Sequence, residues 1–188
     1  MTNYYEETFN EQDYIQSPLP KGEYEDCTFT ACDFSGSDVQ FNKFIHCTFR
    51  DCNFSLALLA GSMLSEVAFV RCKLLGVKFE DCNPFNLEMA FEDCNLQHAS
   101  FFELKLKNTP FKRCKLLETD FSGADLSGAD FSESDLSGAT FGQTRLEKAD
   151  FSSAVNYTID PDNNHLRGAR FAAHGLAGLL SKYKIIIT

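Results

Sequence analysis

The sequence predicts an all-β chain wound into a right-handed quadrilateral β-helix, a solenoid of square coils closed by a short C-terminal α-helix. Two observations carry this expectation. An apolar residue recurs every five positions, and like side chains recur every twenty.

The clearest stretch, Thr119 to Gly142, reads TDFSG ADLSG ADFSE SDLSG ATFG, with Phe or Leu at the centre of each pentad. With that centre labelled i, position i-2 is small (Thr119, Ala124, Ala129, Ser134, Ala139) and i-1 is Asp or Thr. Neither the 3.6-residue period of a helix nor the alternation of an ordinary strand fits. A five-residue side that turns i-2 and i inward builds a square coil, so every twentieth residue stacks above its predecessor. Centres run in one register from Tyr24 to Phe79 and resume, two residues out of phase, from Phe91 to Phe151. Two residues are therefore inserted between about 80 and 90, around Asn83, Pro84 and Phe85. Allowing for them, one column reads Phe29, Phe49, Phe69, Phe91, Phe111, Phe131, Phe151, Phe171. Such coils bury their apolar faces only against one another.

The expected organisation has three parts: an N-terminal cap or strand over residues 1–23, coils over 24–171, and a C-terminal helix and strand over 172–188. Leu176, Leu179, Leu180 and Tyr183 make one apolar stripe on a helix near 172–183, and Ile185-Ile186-Ile187-Thr188 reads as a strand. This tail serves either as a cap or as a dimer interface formed by Leu176, Leu179, Leu180, Tyr183, Ile185 and Ile187.

The eight cysteines fall at i-2, the position for a small inward side chain, so they read as reduced core filler and not as a disulfide or metal framework. No Cys-x-x-Cys, Gly-rich phosphate loop or Gly-x-Ser-x-Gly occurs, and the four histidines have no partner at catalytic or ligand spacing. No catalytic residue, cofactor-binding residue or metal ligand is expected, and the protein reads as a non-enzyme. The formal net charge of -10 argues against direct binding of nucleic acid, which needs cations to neutralise phosphates. No apolar run approaches the roughly 20 residues of a membrane span, and the acidic N-terminus lacks a signal-peptide layout. The expectation is a cytoplasmic protein with no membrane contact.

Charge is unevenly spread. Asp51, Arg71, Asp93, Arg113 and Glu133 alternate in sign at one outward position. Between Lys115 and Arg145 there is no basic residue, while Glu118, Asp120, Asp125, Asp130, Glu133 and Asp135 form an acidic band over several faces.

The A-D-L/F-S-G pentads resemble those of the pentapeptide-repeat family over residues 24–171. The ending Ala154-Val155-Asn156-Tyr157-Thr158-Ile159-Asp160, then Ala169-Arg170-Phe171 and the Leu- and Ile-rich tail, resembles the gyrase-interacting branch. That branch contains the Qnr quinolone-resistance proteins and the albicidin-resistance and microcin B17-immunity proteins. The resemblance implies a homodimer joined through the C-terminus, whose rod mimics DNA and engages a type II topoisomerase, either DNA gyrase or topoisomerase IV. Qnr proteins carry projecting loops. This chain has only the insertion at Asn83, Pro84 and Phe85, which favours the loop-poor, immunity-like end. The competing reading is a protein-interaction scaffold with a non-topoisomerase partner.

Overall fold

The computed structural model describes residues 2–186. It is a β-solenoid whose coils pair in parallel. One sheet stacks β1 (Thr2–Tyr5), β3 (Gly22–Glu25), β5 (Lys43–Ile45) and β7 (Met63–Ser65). A second stacks β2 (Thr8–Asn10), β4 (Thr28–Thr30), β6 (Thr48–Arg50), β8 (Val67–Val70), β9 (Met89–Glu92) and β10 (Phe111–Lys112). Near the C-terminal end, β11 (Asp150–Phe151) pairs with β12 (Arg170–Phe171). Elsewhere, isolated parallel bridges such as Asp33↔Asn53 and Asp120↔Thr140 continue the ladder.

The twenty-residue register holds throughout: Phe29 pairs with Phe49, and Phe49 with Phe69. Phe69 pairs with Phe91, twenty-two residues on, which confirms the two-residue insertion. Four faces follow, numbered here by their centres. Face 1 carries Tyr24, Phe44 and Leu64; face 2 carries the Phe column; face 3 carries Phe34, Phe54 and Leu74; face 4 carries Phe79, Phe101 and Phe121. All of these side chains are buried. Rings in a column stack, as Phe91 does on Phe111 at 5.1 Å between centroids, and meet the neighbouring column edge-on, as Phe101 does Phe111 at 5.4 Å. Offset stacks and T-shaped contacts are the two favoured aromatic geometries, and the square section supplies both at once.

Residues 1–23 are more than a cap. β1 and β2 are the first turn of the solenoid, with Tyr4 stacked on Tyr24 at 4.6 Å and Phe9 on Phe29 at 4.7 Å. The repeat therefore begins before Tyr24. Its first centres escape notice because Phe9 and Tyr14 carry Glu7 and Gln12 at i-2 in place of a small residue.

The corners are of two kinds. Where i-2 is Ala, its N–H donates to the centre three residues back, as Ala124 does to Phe121 (3.1 Å) and Ala139 to Leu136 (3.0 Å). Corners that lead into a column cysteine lack that turn bond. There the thiol one coil further on adds a donor to the carbonyl of the centre: Cys52 to Phe29 O (3.4 Å), Cys72 to Phe49 O and Cys94 to Phe69 O (both 3.3 Å). Ser134 takes over the task at Phe111 O, at 2.7 Å. Cys52, Cys72 and Cys94 thus fill volume and add a second donor at a buried backbone acceptor. All eight are free and buried, and burial pushes the Cys82 thiol up to about 12.

Most corner residues adopt a left-handed backbone. Gly61 (φ 68°) is one place where only glycine fits, because the Phe41 ring of the coil below lies 2.6 Å from where a Cβ would stand. Other corners hold Asp51, Arg71 or His46 at φ 52–55°, a conformation tolerated because the neighbouring coils fix it.

The C-terminal tail differs from its expected form. The single helix over 172–183 is split into a 3-10 turn (Ala173–Gly175), one α-helical turn, α1 (Ala177–Leu180), and a second 3-10 turn (Ser181–Tyr183). Gly175 and Gly178 cause this, since both press against Tyr157. A Cβ on Gly178 would stand 2.1 Å from the Tyr157 carbonyl oxygen, and Ile159 N–H donates to Gly178 O at 3.1 Å. Ile185 and Ile186 belong to no strand, and Ile187 and Thr188 lie outside the described residues. No helix among those described is long and apolar enough to cross a membrane.

Candidate partner-binding surface

The solenoid wraps the acidic band around the rod. Asp120 stands on face 4, Asp125 on face 1, Asp130 on face 2 and Asp135 on face 3, each just before its buried centre. Glu118 and Glu133 occupy the corners between faces 3 and 4 and between faces 2 and 3. Each aspartate does structural work with one oxygen. Oδ1 of Asp120, Asp125, Asp130 and Asp135 accepts the N–H of Ser122, Ser127, Ser132 and Ser137, at 2.9, 3.2, 2.9 and 3.1 Å. Partial burial pushes the carboxyls of Asp120, Asp125 and Asp135 up, but these hydrogen bonds outweigh it and hold them below the usual range. The second oxygen of Asp120 and of Asp135 remains for a partner, while those of Asp125 and Asp130 face Lys107 and Lys112.

The band is partly compensated, a correction to its reading along the chain. Lys107 of the coil below lies 3.4 Å from Asp125, Lys112 lies 3.6 Å from Asp130, and His98 lies 3.4 Å from Glu118. Among the described residues Asp120, Glu133 and Asp135 form no ion pair with Lys or Arg, although Lys115, the register partner of Asp135 one coil below, helps to hold its carboxyl down. The charge outside direct ion pairs therefore faces one side of the rod, from the corner of faces 2 and 3 across to face 4. The linear window hides this, because the neutralising cations sit eighteen residues upstream.

The alternating corner column forms ion pairs as its spacing implies. Arg71 bonds Asp51, and Arg113 bonds Asp93 and Glu92.

The tail divides its apolar residues between two roles. Leu179 packs against the core, while Leu176, Leu180, Tyr183 and Ile185 are exposed. Lys182 ties the tail to the last coil through Asp160 (2.6 Å) and Asp162. Phe171 stacks on Phe151 at 5.1 Å and Tyr157 tilts over both, which closes the Phe column. Leu179 thus serves the capping role, and the other four are turned to solvent.

The insertion is confined to face 1, where Leu87 packs against the core and Phe85 is turned out, 65% exposed. Asn83 Oδ1 accepts the Phe85 N–H at 2.9 Å across Pro84. A second exposed apolar group, Phe41, Leu56 and Leu58 around the edge of face 4, escaped the sequence reading. The repeat could have shown it, because all three occupy outward positions.

The pentapeptide repeat region matches residues 23–101 and 85–151, and the chain belongs to the pentapeptide-repeat family. Among solved structures, one trypsin-treated variant of QnrB1, a plasmid-mediated fluoroquinolone resistance protein, matches over 100% of both chains, at 20% identity and a TM-score of 0.50. A second such variant gives 22% identity over 99% of this chain and 98% of the other, with a TM-score of 0.49. HetL of the cyanobacterium Nostoc sp. strain PCC 7120, involved in heterocyst differentiation regulation, covers 89% of this chain and 86% of its own. Its identity is 18% and its TM-score 0.37. The first of these likenesses shows a shared solenoid fold. Among curated proteins, no match to the sequence is found.

Proposed function

We propose that the protein is a DNA-mimicking ligand of a type II topoisomerase, DNA gyrase or topoisomerase IV, which it modulates or protects from poisons. The observation that supports this is the run of carboxylates outside direct ion pairs, Glu133, Asp135 and Asp120, close to a C-terminal end that leaves Leu176, Leu180, Tyr183 and Ile185 exposed. A homodimer formed through those apolar residues joins two such acidic surfaces near its centre, on a rod of net charge -10 per chain. A basic DNA-binding saddle is the complementary shape and sign. Electrostatics of this kind set association rate and salt dependence more than affinity.

Supercoiling and drug-stabilised cleavage assays with purified gyrase and topoisomerase IV test the proposal. Asp120→Asn, Glu133→Gln and Asp135→Asn together remove charge while keeping the Oδ1 acceptors of both aspartates. This triple variant is expected to lose inhibition or protection, and Asp125→Asn with Asp130→Asn to lose less. Wild-type protein without effect on either enzyme at micromolar concentration rejects the proposal. An effect that survives the triple variant assigns the activity to another surface.

A further inference from the structure

The corner column between faces 1 and 2 departs from the alternation of its neighbour. Glu6, Asp26, His46, Glu66 and Glu88 follow one another there, with Glu25 beside Asp26. Where the neighbouring column has Arg71 and Arg113, this one has a single imidazole. Among the described residues, none of these five carboxylates pairs with Lys or Arg. Sequence spacing offered His46 no partner, yet the coil sets it directly above Asp26.

We propose that Glu25, Asp26 and His46 form a binding site for a divalent transition-metal ion of the zinc class. One carboxylate oxygen from each acid and one ring nitrogen of His46 lie within 4.8 Å of one another. Nδ1 is 3.5 Å from Asp26 Oδ1, close to the roughly 3.3 Å that separates ligands around a tetrahedral ion with bonds of about 2.0–2.1 Å. Exposed side chains close the remaining gap by rotamer changes. Glu66 supplies the independent second element. Its Oε1 lies 3.3 Å from Nε2, on the far side of the ring. In the tautomer that donates Nε2–H to Glu66, the Nδ1 lone pair is left free for a metal beside Asp26. This is the carboxylate–histidine–metal relay that orients ligating imidazoles.

The backbone holds the ligands ready. Glu25 ends β3, Asp26 and His46 share the left-handed corner conformation (φ 53° and 52°), and Asp26 N–H donates to Ile45 O at 3.0 Å. An imidazole nitrogen favours zinc, nickel or copper, whereas an all-oxygen set suits magnesium or calcium. Selection of zinc over magnesium is therefore the signature of this site, as against a diffuse acidic surface.

The test is isothermal titration of the full-length chain, freed of any polyhistidine tag, with zinc chloride, and separately with magnesium chloride. One zinc ion is expected to bind per chain, undisturbed by a large excess of magnesium. His46→Ala is expected to weaken binding by at least the roughly 10–100-fold that loss of even an outer-shell partner costs. Glu66→Gln is expected to weaken it less, and His98→Ala, which alters another corner histidine, not at all. Circular dichroism confirms that each variant remains folded. Absence of zinc binding overturns the proposal. So does zinc binding that magnesium displaces or that survives His46→Ala.

Discussion

Arg71 lies one coil above Asp51 and forks onto it, with Nε and Nη2 each 2.8 Å from a carboxylate oxygen. Geometry this good still sits in solvent, where Coulomb attraction is screened and side-chain ordering offsets much of it. A double-mutant cycle with Asp51→Ala and Arg71→Ala is expected to give a small coupling that shrinks further as salt is raised. A coupling indifferent to salt would contradict this.

The cysteine column is the better place to look for stability. Cys72→Ala removes the thiol donor to Phe49 O and is expected to cost about 0.5–1.5 kcal/mol. Cys72→Ser keeps a donor and is expected to cost less, by denaturant midpoint. The wild-type thiols should resist a thiol reagent until the chain unfolds, because burial pushes thiols such as Cys47 and Cys82 up to about 12 and away from the reactive thiolate.

Phe111 stacks on Phe91 and Phe131 and meets Phe101 and Phe121 edge-on. Phe111→Ala is expected to cost about 3–5 kcal/mol, as large aromatic truncations in cores do. Thermal melting that splits into two transitions at this coil would show the solenoid uncoupling into halves.

Tyr157 carries a buried hydroxyl without a hydrogen-bond partner, beside Gly175. Tyr157→Phe is therefore expected to leave stability unchanged or raised. Gly178→Ala, with its Cβ driven into the Tyr157 carbonyl, is expected to detach the tail, seen as faster proteolysis after Phe171.

Acid should loosen the rod. The carboxyls of Asp120, Asp125 and Asp135 are held below their unfolded value, near 3.9. Groups with depressed folded values contribute stability that is complete above the unfolded pKa and is lost as pH falls through the folded one. Melting temperature is expected to be flat above about pH 5 and to fall below about pH 4. Asp125→Asn should flatten part of that fall.

The fold was legible because the period is strict: the Phe column, the insertion and the role of i-2 all follow from counting fives and twenties. The first coil was not, since Phe9 and Tyr14 stack in register without the small i-2 residues that mark later pentads. The tail was half legible. Its apolar spacing fits a helix, but glycines pressed against Tyr157 break it, and that contact is tertiary. The acidic surface was misjudged in extent because cations such as Lys107 and Lys112 lie a coil away. The same coil placed His46 over Asp26, a neighbour that linear spacing does not show.

The insertion at Asn83–Glu88 has a bearing on how such proteins diversify. The ladder above and below it is in register, so the extra residues disturb one face and leave the other three undisturbed. Lengthening a loop at that point costs only about 0.6 kcal/mol for each doubling. The rod is thus a tolerant chassis at this corner, where a longer recognition loop can be grafted or acquired without renegotiating the core.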